Sequence, residues 1–143
     1  MAPKRIPSEP RQKTARILVV DDGPEHLLAM KAVLTRVGYD VVTAEGYHEA
    51  HAALRDDRFD LLISDLSLNE QKGQGLLLAG EAKRGRLAHS VLLVGSRQGL
   101  KNAAAPLRKC VDTYLSKPLS LKRLVQGVAR SLRGRTQAVA ASP

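Results

Sequence analysis

Aromatic residues and cysteine are scarce in this chain of 143 residues. It contains no tryptophan, one phenylalanine, three tyrosines and a single cysteine, Cys110. One cysteine cannot form an internal disulfide, so the sequence favours a reducing compartment and we expect a cytoplasmic protein. Because rings are so few, aliphatic side chains must fill the core, and a hydrophobic content of 43% suffices for one globular domain.

Long apolar runs are missing as well. No window approaches the roughly 18 uninterrupted apolar residues that suggest a membrane-spanning helix, so no membrane span is expected. The first 16 residues are basic but contain no apolar stretch, which argues against a secretory signal. With three prolines and scattered charges, residues 1–14 are predicted to form a disordered basic tail.

The net charge of +9 comes from the two ends of the chain. Residues 1–16 hold five basic residues and one acid, residues 122–143 hold five basic residues and no acid, and residues 17–121 hold 13 of each. Such ends could contact an anionic partner, but solvated tails and an exposed helix face are the simpler interpretation. No aromatic residue lies among these charges to stack on bases, so a nucleic-acid partner is not expected.

Between the ends, strand-like and helix-like segments alternate. The predicted strands are short strand-like runs rich in apolar residues, at Arg16–Val20, Asp40–Ala44, Asp60–Ser64, Val91–Val94 and Thr113–Leu115. The predicted helices have apolar residues three and four positions apart, and cover 24–37, 46–55, 75–86, 100–109 and 121–133. Ser120 is the expected N-cap and Gly134 the expected C-cap of the last helix. The pattern predicts an α/β fold, a doubly wound five-stranded parallel sheet with five helices on its two faces.

Charged residues follow three of the predicted strands. Asp21 and Asp22 follow the first strand, Asp65 follows the third, and Lys117 follows the fifth. Each one alone is a common turn residue, but ligands of such sheets bind outside the carboxyl ends of the strands, where all four meet. A Mg²⁺ ion would offset the repulsion between the carboxylates. A carboxylate beside such an ion and an ammonium group can attack phosphorus and form an aspartyl phosphate.

Three blocks of sequence, ILVVDD, LLISDLSL and VDTYLSKPL, resemble the signature blocks of response-regulator receiver domains, in the same order. The resemblance covers residues 15–134, leaves residues 135–143 as a C-terminal tail, and implies the strand order 2-1-3-4-5. It also implies roles for individual residues: Asp65 as phosphoacceptor, Lys117 as the active-site lysine, Tyr114 as an aromatic that changes rotamer on activation, and Asp21, Asp22, Asp65 and the backbone carbonyl of Ser67 as the Mg²⁺ site.

The sequence departs from the family pattern at its switch position. Receiver domains carry Thr or Ser at the end of the fourth strand, but the corresponding residue here is Gly95. Ser96 follows it, and one step along a strand turns a side chain to the other face, so Ser96 can substitute only if the strand has ended. With the hydroxyl absent, Gly95→Thr is expected to strengthen a phosphate-dependent response around Tyr114. Asn69 replaces the usual proline after the acceptor, which predicts a mobile loop.

Two functions remain open on the sequence alone. The first is a single-domain response regulator that accepts a phosphoryl group on Asp65 from a histidine kinase or phosphotransfer protein, and signals through contacts with a downstream protein. It would be no enzyme beyond its own phosphoryl transfer and dephosphorylation. Because the sequence ends shortly after the last predicted helix, no effector domain is expected. The alternative is a pseudo-receiver, a binding module whose phosphorylation switch is lost or uncoupled, as Gly95 suggests.

Overall fold

Among the described residues, five parallel strands form one sheet, in the order 2-1-3-4-5 that the family resemblance implies. The computed structural model describes residues 14–69, 71, 73–103 and 109–141. The strands are β1 (Arg16–Val20), β2 (Asp40–Ala44), β3 (Phe59–Asp65), β4 (Ala88–Gly95) and β5 (Thr113–Ser116). β3 and β4 are longer than the sequence predicts, and β4 ends at Gly95.

In the part of the chain that the structure describes, five helices cover the two faces of the sheet: α1 (Pro24–Val37), α2 (Tyr47–Asp56), α3 (Gln74–Arg84), α4 (Arg97–Lys101) and α5 (Leu121–Ala141). Pro24 opens α1, and Gly38 ends it in the left-handed region at φ 120°, donating its N–H to the carbonyls of Leu34 and Thr35. None of the helices in the part of the chain described here is long and apolar enough to cross a membrane.

Each strand contributes side chains to two cores, because neighbouring side chains of a strand point to opposite faces of the sheet. Leu18 of β1 and Leu62 of β3 lie in one core, which α2 and α3 complete. Ile17 and Ile63, one step away along the same strands, lie in the other core with apolar residues of α1 and α5. The strands therefore read as continuous apolar runs, and burial on both faces fixes their register.

The predicted boundaries of the last two helices differ most from the structure. The fourth helix was expected at 100–109 but begins at Arg97, because the Oγ of Ser96 accepts the N–H of Gly99 at 2.8 Å and caps the helix. Residues 104–108 of that prediction lie outside the described residues. The last helix does not end at Gly134 but runs to Ala141. An internal glycine costs only about 1 kcal/mol relative to alanine, and no proline follows before Pro143.

The parallel register brings the carboxyl ends of the strands to one edge of the sheet. Val20 pairs with Ser64 and Asp65 pairs with Val94, while Gly95 pairs with Ser116. The residues that follow these pairs therefore share a small region of the surface. The predicted tail at 1–14 lies, except for Thr14, outside the described residues.

Candidate functional site

Asp65 ends β3 and is almost buried, with 8% of its surface exposed. Its two carboxylate oxygens have different partners. Oδ1 accepts the backbone N–H of Ser67 at 3.0 Å, and Oδ2 accepts the ammonium Nζ of Lys117 at 2.7 Å. A carboxylate held at both oxygens has a fixed orientation, and the bond to a charged donor is the stronger of the two. The structure thus brings Asp65 and Lys117 together as the sequence predicts.

Lys117 is fixed by its backbone as well as by its side chain. Its N–H donates to the carbonyl of Gly95 at 2.9 Å. The guanidinium of Arg123 donates to the carbonyls on both sides of it, those of Ser116 and Pro118, each at 3.1 Å. The sequence pattern did not indicate Arg123, because several basic residues lie in the last helix and the pattern does not show which of them contacts the loop that holds Lys117.

The electrostatics keep Lys117 protonated. Burial acts to lower the pKa of Lys117, but the hydrogen bond to Asp65 and the negative charges of Asp65, Asp21 and Asp22 outweigh it and raise the pKa above its ordinary value of 10.5. All three predicted carboxylates are therefore close enough to act on this ammonium group. Lys117 remains a cation throughout the physiological pH range.

The two adjacent aspartates at the end of β1 have different environments. Asp21 is 7% exposed, and its Oδ1 accepts the N–H of Gly23 at 2.8 Å. Asp22 is exposed, and its Oδ2 accepts the N–H of Asn69 at 2.8 Å. Asn69 has φ 52°, a left-handed conformation that Asn adopts more readily than most residues. Asn69 thus joins the loop after β3 to the end of β1, a contact across 47 positions that sequence alone does not indicate.

The carboxylates at this edge of the sheet have the oxygen ligands that Mg²⁺ prefers. In the described ranges, no three Asp, Glu, His or Cys side chains converge as a metal-binding group. Asp21 and Asp65 do line one cavity of about 320 Å³ together with Lys117. Mg²⁺ prefers oxygen ligands, takes one or two carboxylates and keeps several waters, so these two buried carboxylates fit it without a third. The predicted roles of Asp21, Asp22, Asp65 and the Ser67 carbonyl as Mg²⁺ ligands all stay predictions.

At the predicted switch position, side chains of neighbouring residues occupy the space next to Gly95. Gly95 ends β4, so Ser96 lies outside the strand, but its hydroxyl is engaged in capping α4. The hydroxyl of Tyr114 donates to the carbonyl of Ser96 at 2.5 Å. A Cβ atom added to Gly95 would lie 2.6 Å from this hydroxyl and 2.9 Å from the Cβ of Leu66. Burial raises the pKa of Tyr114 above its ordinary value of 10.0, and the charge of Asp65 raises it further.

The sequence is similar to known signalling proteins over most of its length. Residues 17–129 match the family described as the response regulator receiver domain. The chain is 32% identical to the transcriptional regulatory protein GlrR of Escherichia coli over 120 residues, and 29% identical to the sensor protein GacS of Pseudomonas syringae over 121 residues. These matches cover 84% and 82% of this chain, but only 27% of GlrR and 13% of GacS.

Solved structures agree with this similarity. The response regulator TrrA of Thermotoga maritima, whose crystal contains Mg²⁺ and a beryllium fluoride, has a TM-score of 0.70 and 28% identity; the match covers 82% of this chain and 99% of that one. A receiver domain of Clostridium thermocellum has a TM-score of 0.75 at 23% identity, covering 87% and 98%, and supports the fold. The sequence blocks, the strand order and these similarities agree: the chain belongs to the response-regulator receiver domains of two-component signalling systems.

Proposed function

We propose that this chain is a response regulator that accepts a phosphoryl group on Asp65 and signals through contacts with another protein. The observation that carries the proposal is the pair formed by Asp65 and Lys117. A buried carboxylate with one oxygen 2.7 Å from an ammonium group is oriented for attack, and the cation is in place for the incoming charge. The proposal extends to a cytoplasmic location, which the single cysteine favours.

The chemistry is a displacement at phosphorus. A carboxylate oxygen of Asp65 forms the new bond to phosphorus. At the same time the bond between phosphorus and a histidine nitrogen of the donor protein breaks, and the electron pair of that bond stays on the nitrogen. Lys117, already hydrogen-bonded to Asp65, would stabilise the negative charge on the transferring group. The N–H of Ser67 holds the other half of the carboxylate in place. Asp21 and Asp65 would hold a Mg²⁺ ion, which would supply further positive charge to stabilise the phosphoryl group.

A histidine kinase or phosphotransfer protein is the proposed donor. Next to Asp65, the cavity of about 320 Å³ is walled by residues of α1 and by the first residue of α5. Leu28 of α1 is 71% exposed and Leu121 of α5 is 43% exposed, and exposed apolar side chains of this size suit a protein interface. The likeness to GacS, a sensor protein, supports a partner of this class.

A pseudo-receiver is the second candidate, because Gly95 lacks the switch hydroxyl of the family and the structure shows no free space for one there. The space where the family carries a hydroxyl side chain is taken by Tyr114 and Leu66. In that case the chain would bind its partner through the same surface whether or not Asp65 carried phosphate.

Acetyl phosphate with Mg²⁺ tests the proposal directly. We expect the intact mass to increase by one phosphoryl group and the modification to map to Asp65. Asp65→Asn should gain none, because the amide keeps the shape of the side chain but loses its nucleophilic charge. Asp56→Asn, which changes an exposed residue at the end of α2, is the matched control and should be modified like the wild type. Equal modification of all three proteins would show that Asp65 is not the acceptor.

Mg²⁺ alone should stabilise the folded protein. An ion that binds only the folded state at ten times its dissociation constant adds about 1.4 kcal/mol to the free energy of unfolding. The midpoint of thermal unfolding should therefore rise with Mg²⁺ in the wild type and rise less in Asp21→Asn and Asp65→Asn. Asp57→Asn, distant from this edge, should keep the full shift. If Asp21→Asn and Asp65→Asn both kept it too, the ion would have to bind elsewhere.

A further inference from the structure

Leu66, the residue after the proposed acceptor, connects three elements through its backbone. Its N–H donates to the carbonyl of Val94 in β4 at 2.8 Å. Its carbonyl accepts the N–H of Gly75 in α3 at 2.9 Å. A displacement of Asp65 reaches Leu66 through the peptide bond that joins them, and the two backbone hydrogen bonds connect Leu66 to β4 and α3.

The side chain of Leu66 lies where two glycines leave space. A Cβ atom added to Gly95 would lie 2.9 Å from the Cβ of Leu66, and one added to Gly99 would lie 2.6 Å from its Cδ2. Ordinary contacts of a Cβ atom begin near 3.4 Å. Gly95 in β4 and Gly99 in α4 thus form a slot, called here the glycine slot, which Leu66 occupies while 7% exposed.

The hydroxyl of Tyr114 occupies the rest of the space above Gly95. A Cβ atom there would be 2.6 Å from it, and the hydroxyl is held by its 2.5 Å bond to the carbonyl of Ser96. No side chain on β4 at this position can therefore reach toward a phosphoryl group on Asp65. A response to phosphorylation needs a different physical route to the surface.

We propose that Leu66 is that route: it transmits a change at Asp65 to α4 by packing in the glycine slot. The inference rests on the proposed function of Asp65. Protein interiors are close-packed, so a shift of Leu66 must be matched by the backbone that faces it. The facing backbone at Gly99 belongs to a helix of five residues, capped by the Ser96 hydroxyl. So short a helix has little stability of its own and moves as its contacts dictate. α4 is then the surface that reports the state of Asp65.

The test compares amide resonances with and without Mg²⁺ and beryllofluoride, a phosphoryl mimic. In the wild type, the Ser67 amide should report the adduct at Asp65, and the amides of Gly99 and Lys101 should shift with it. In Leu66→Ala the Ser67 shift should remain and the shifts in α4 should be lost. Leu54→Ala makes the same change in the same core, but in α2, and should keep the response in α4.

Gly99→Ala and Leu66→Val provide variants that test the contact if Leu66→Ala does not fold. Adding a methyl group at Gly99 pushes Leu66 aside, and Leu66→Val removes the outer part of the side chain that faces Gly99. Both should reduce the shift at Lys101 while the Ser67 shift persists. A full response of α4 in these variants would overturn the inference, as would a loss that Leu54→Ala shares. A wild type without any adduct would overturn the proposed function itself, and the inference with it.

Discussion

Replacing Gly75 with alanine is expected to destabilise the protein by about 2 kcal/mol, although alanine is the better helix former. Gly75 is the second residue of α3, and its N–H donates to the carbonyl of Leu66 at 2.9 Å. A Cβ atom at this position would overlap the carbonyl oxygen of Asp65 and lie 2.9 Å from the Cα of Leu66. These are backbone atoms, which cannot rotate away as the end of a side chain can.

The estimate is a balance of two opposite effects. Alanine gains about 1 kcal/mol over glycine inside a helix. Overpacking typically costs about 1–3 kcal/mol, and a collision with fixed backbone lies at or beyond the top of that range. The substitution should also disturb the position of Asp65, because the overlap is relieved only when α3 and the backbone of Asp65 and Leu66 move apart. Transfer from acetyl phosphate should therefore slow in the folded fraction as well.

Gly127→Ala is the matched control for this prediction. Gly127 is also a buried helical glycine, in α5, but its added Cβ would meet side-chain methyl groups, 2.9 Å from Leu115 Cδ1 and 3.4 Å from Leu92 Cδ1. Leucine methyl groups can shift by a few tenths of an ångström, so the gain in helix propensity should offset most of the cost. Urea unfolding of both variants measures the difference. A Gly75→Ala protein as stable as Gly127→Ala would contradict the close approach of α3 to Asp65.

The fold was predictable because its determinants are local. Continuous apolar runs such as residues 17–20 of β1 indicate strands covered on both faces, and helical spacing between them indicates the crossovers of a parallel sheet. The charged residues could be assigned to one edge for the same reason, since parallel strands end together. Asp65 and Lys117 meet there, 52 positions apart, without any contact having been predicted pair by pair.

The contacts around the site were less predictable because they join distant backbone groups. The bond from Asn69 to Asp22 depends on the left-handed conformation of one loop residue, and the loop around it had been expected to be mobile. Residues 70 and 72 of that loop lie outside the described residues. Gly95 was interpreted as a missing side chain, whereas in the structure it is a space shaped by Leu66 and Tyr114. A sequence shows which atoms a glycine lacks, but not which neighbours fill the gap.

Gly95→Thr is the second substitution with a large expected effect, and the structure changes what it should do. From the sequence, a threonine at this position would restore a hydroxyl and strengthen the response around Tyr114. In the structure its Cβ would lie 2.6 Å from the Tyr114 hydroxyl and 2.9 Å from the Cβ of Leu66. Overpacking of this kind costs about 1–3 kcal/mol, and the lost hydrogen bond to Ser96 adds about 1 kcal/mol. Gly95→Thr should therefore lower the free energy of unfolding by about 2 kcal/mol once the better strand propensity of threonine is subtracted.

A double-mutant cycle with Tyr114→Phe separates the collision from any general effect of a threonine at position 95. Phenylalanine lacks the hydroxyl that faces Gly95, so Gly95→Thr should cost about 1 kcal/mol less in the Tyr114→Phe background than in the wild type.

The pKa of Tyr114 gives a second measurement. Because burial is the main cause of its elevation, a Tyr114 ring pushed outward by threonine should titrate closer to the ordinary value of 10.0, as followed by NMR of the ring protons. Equal costs in both backgrounds, with the pKa of Tyr114 unchanged, would mean that Tyr114 and Gly95 do not compete for the same space. If they do compete, Gly95→Thr frees the ring from the carbonyl of Ser96, and a phosphoryl group on Asp65 could then change the position of Tyr114.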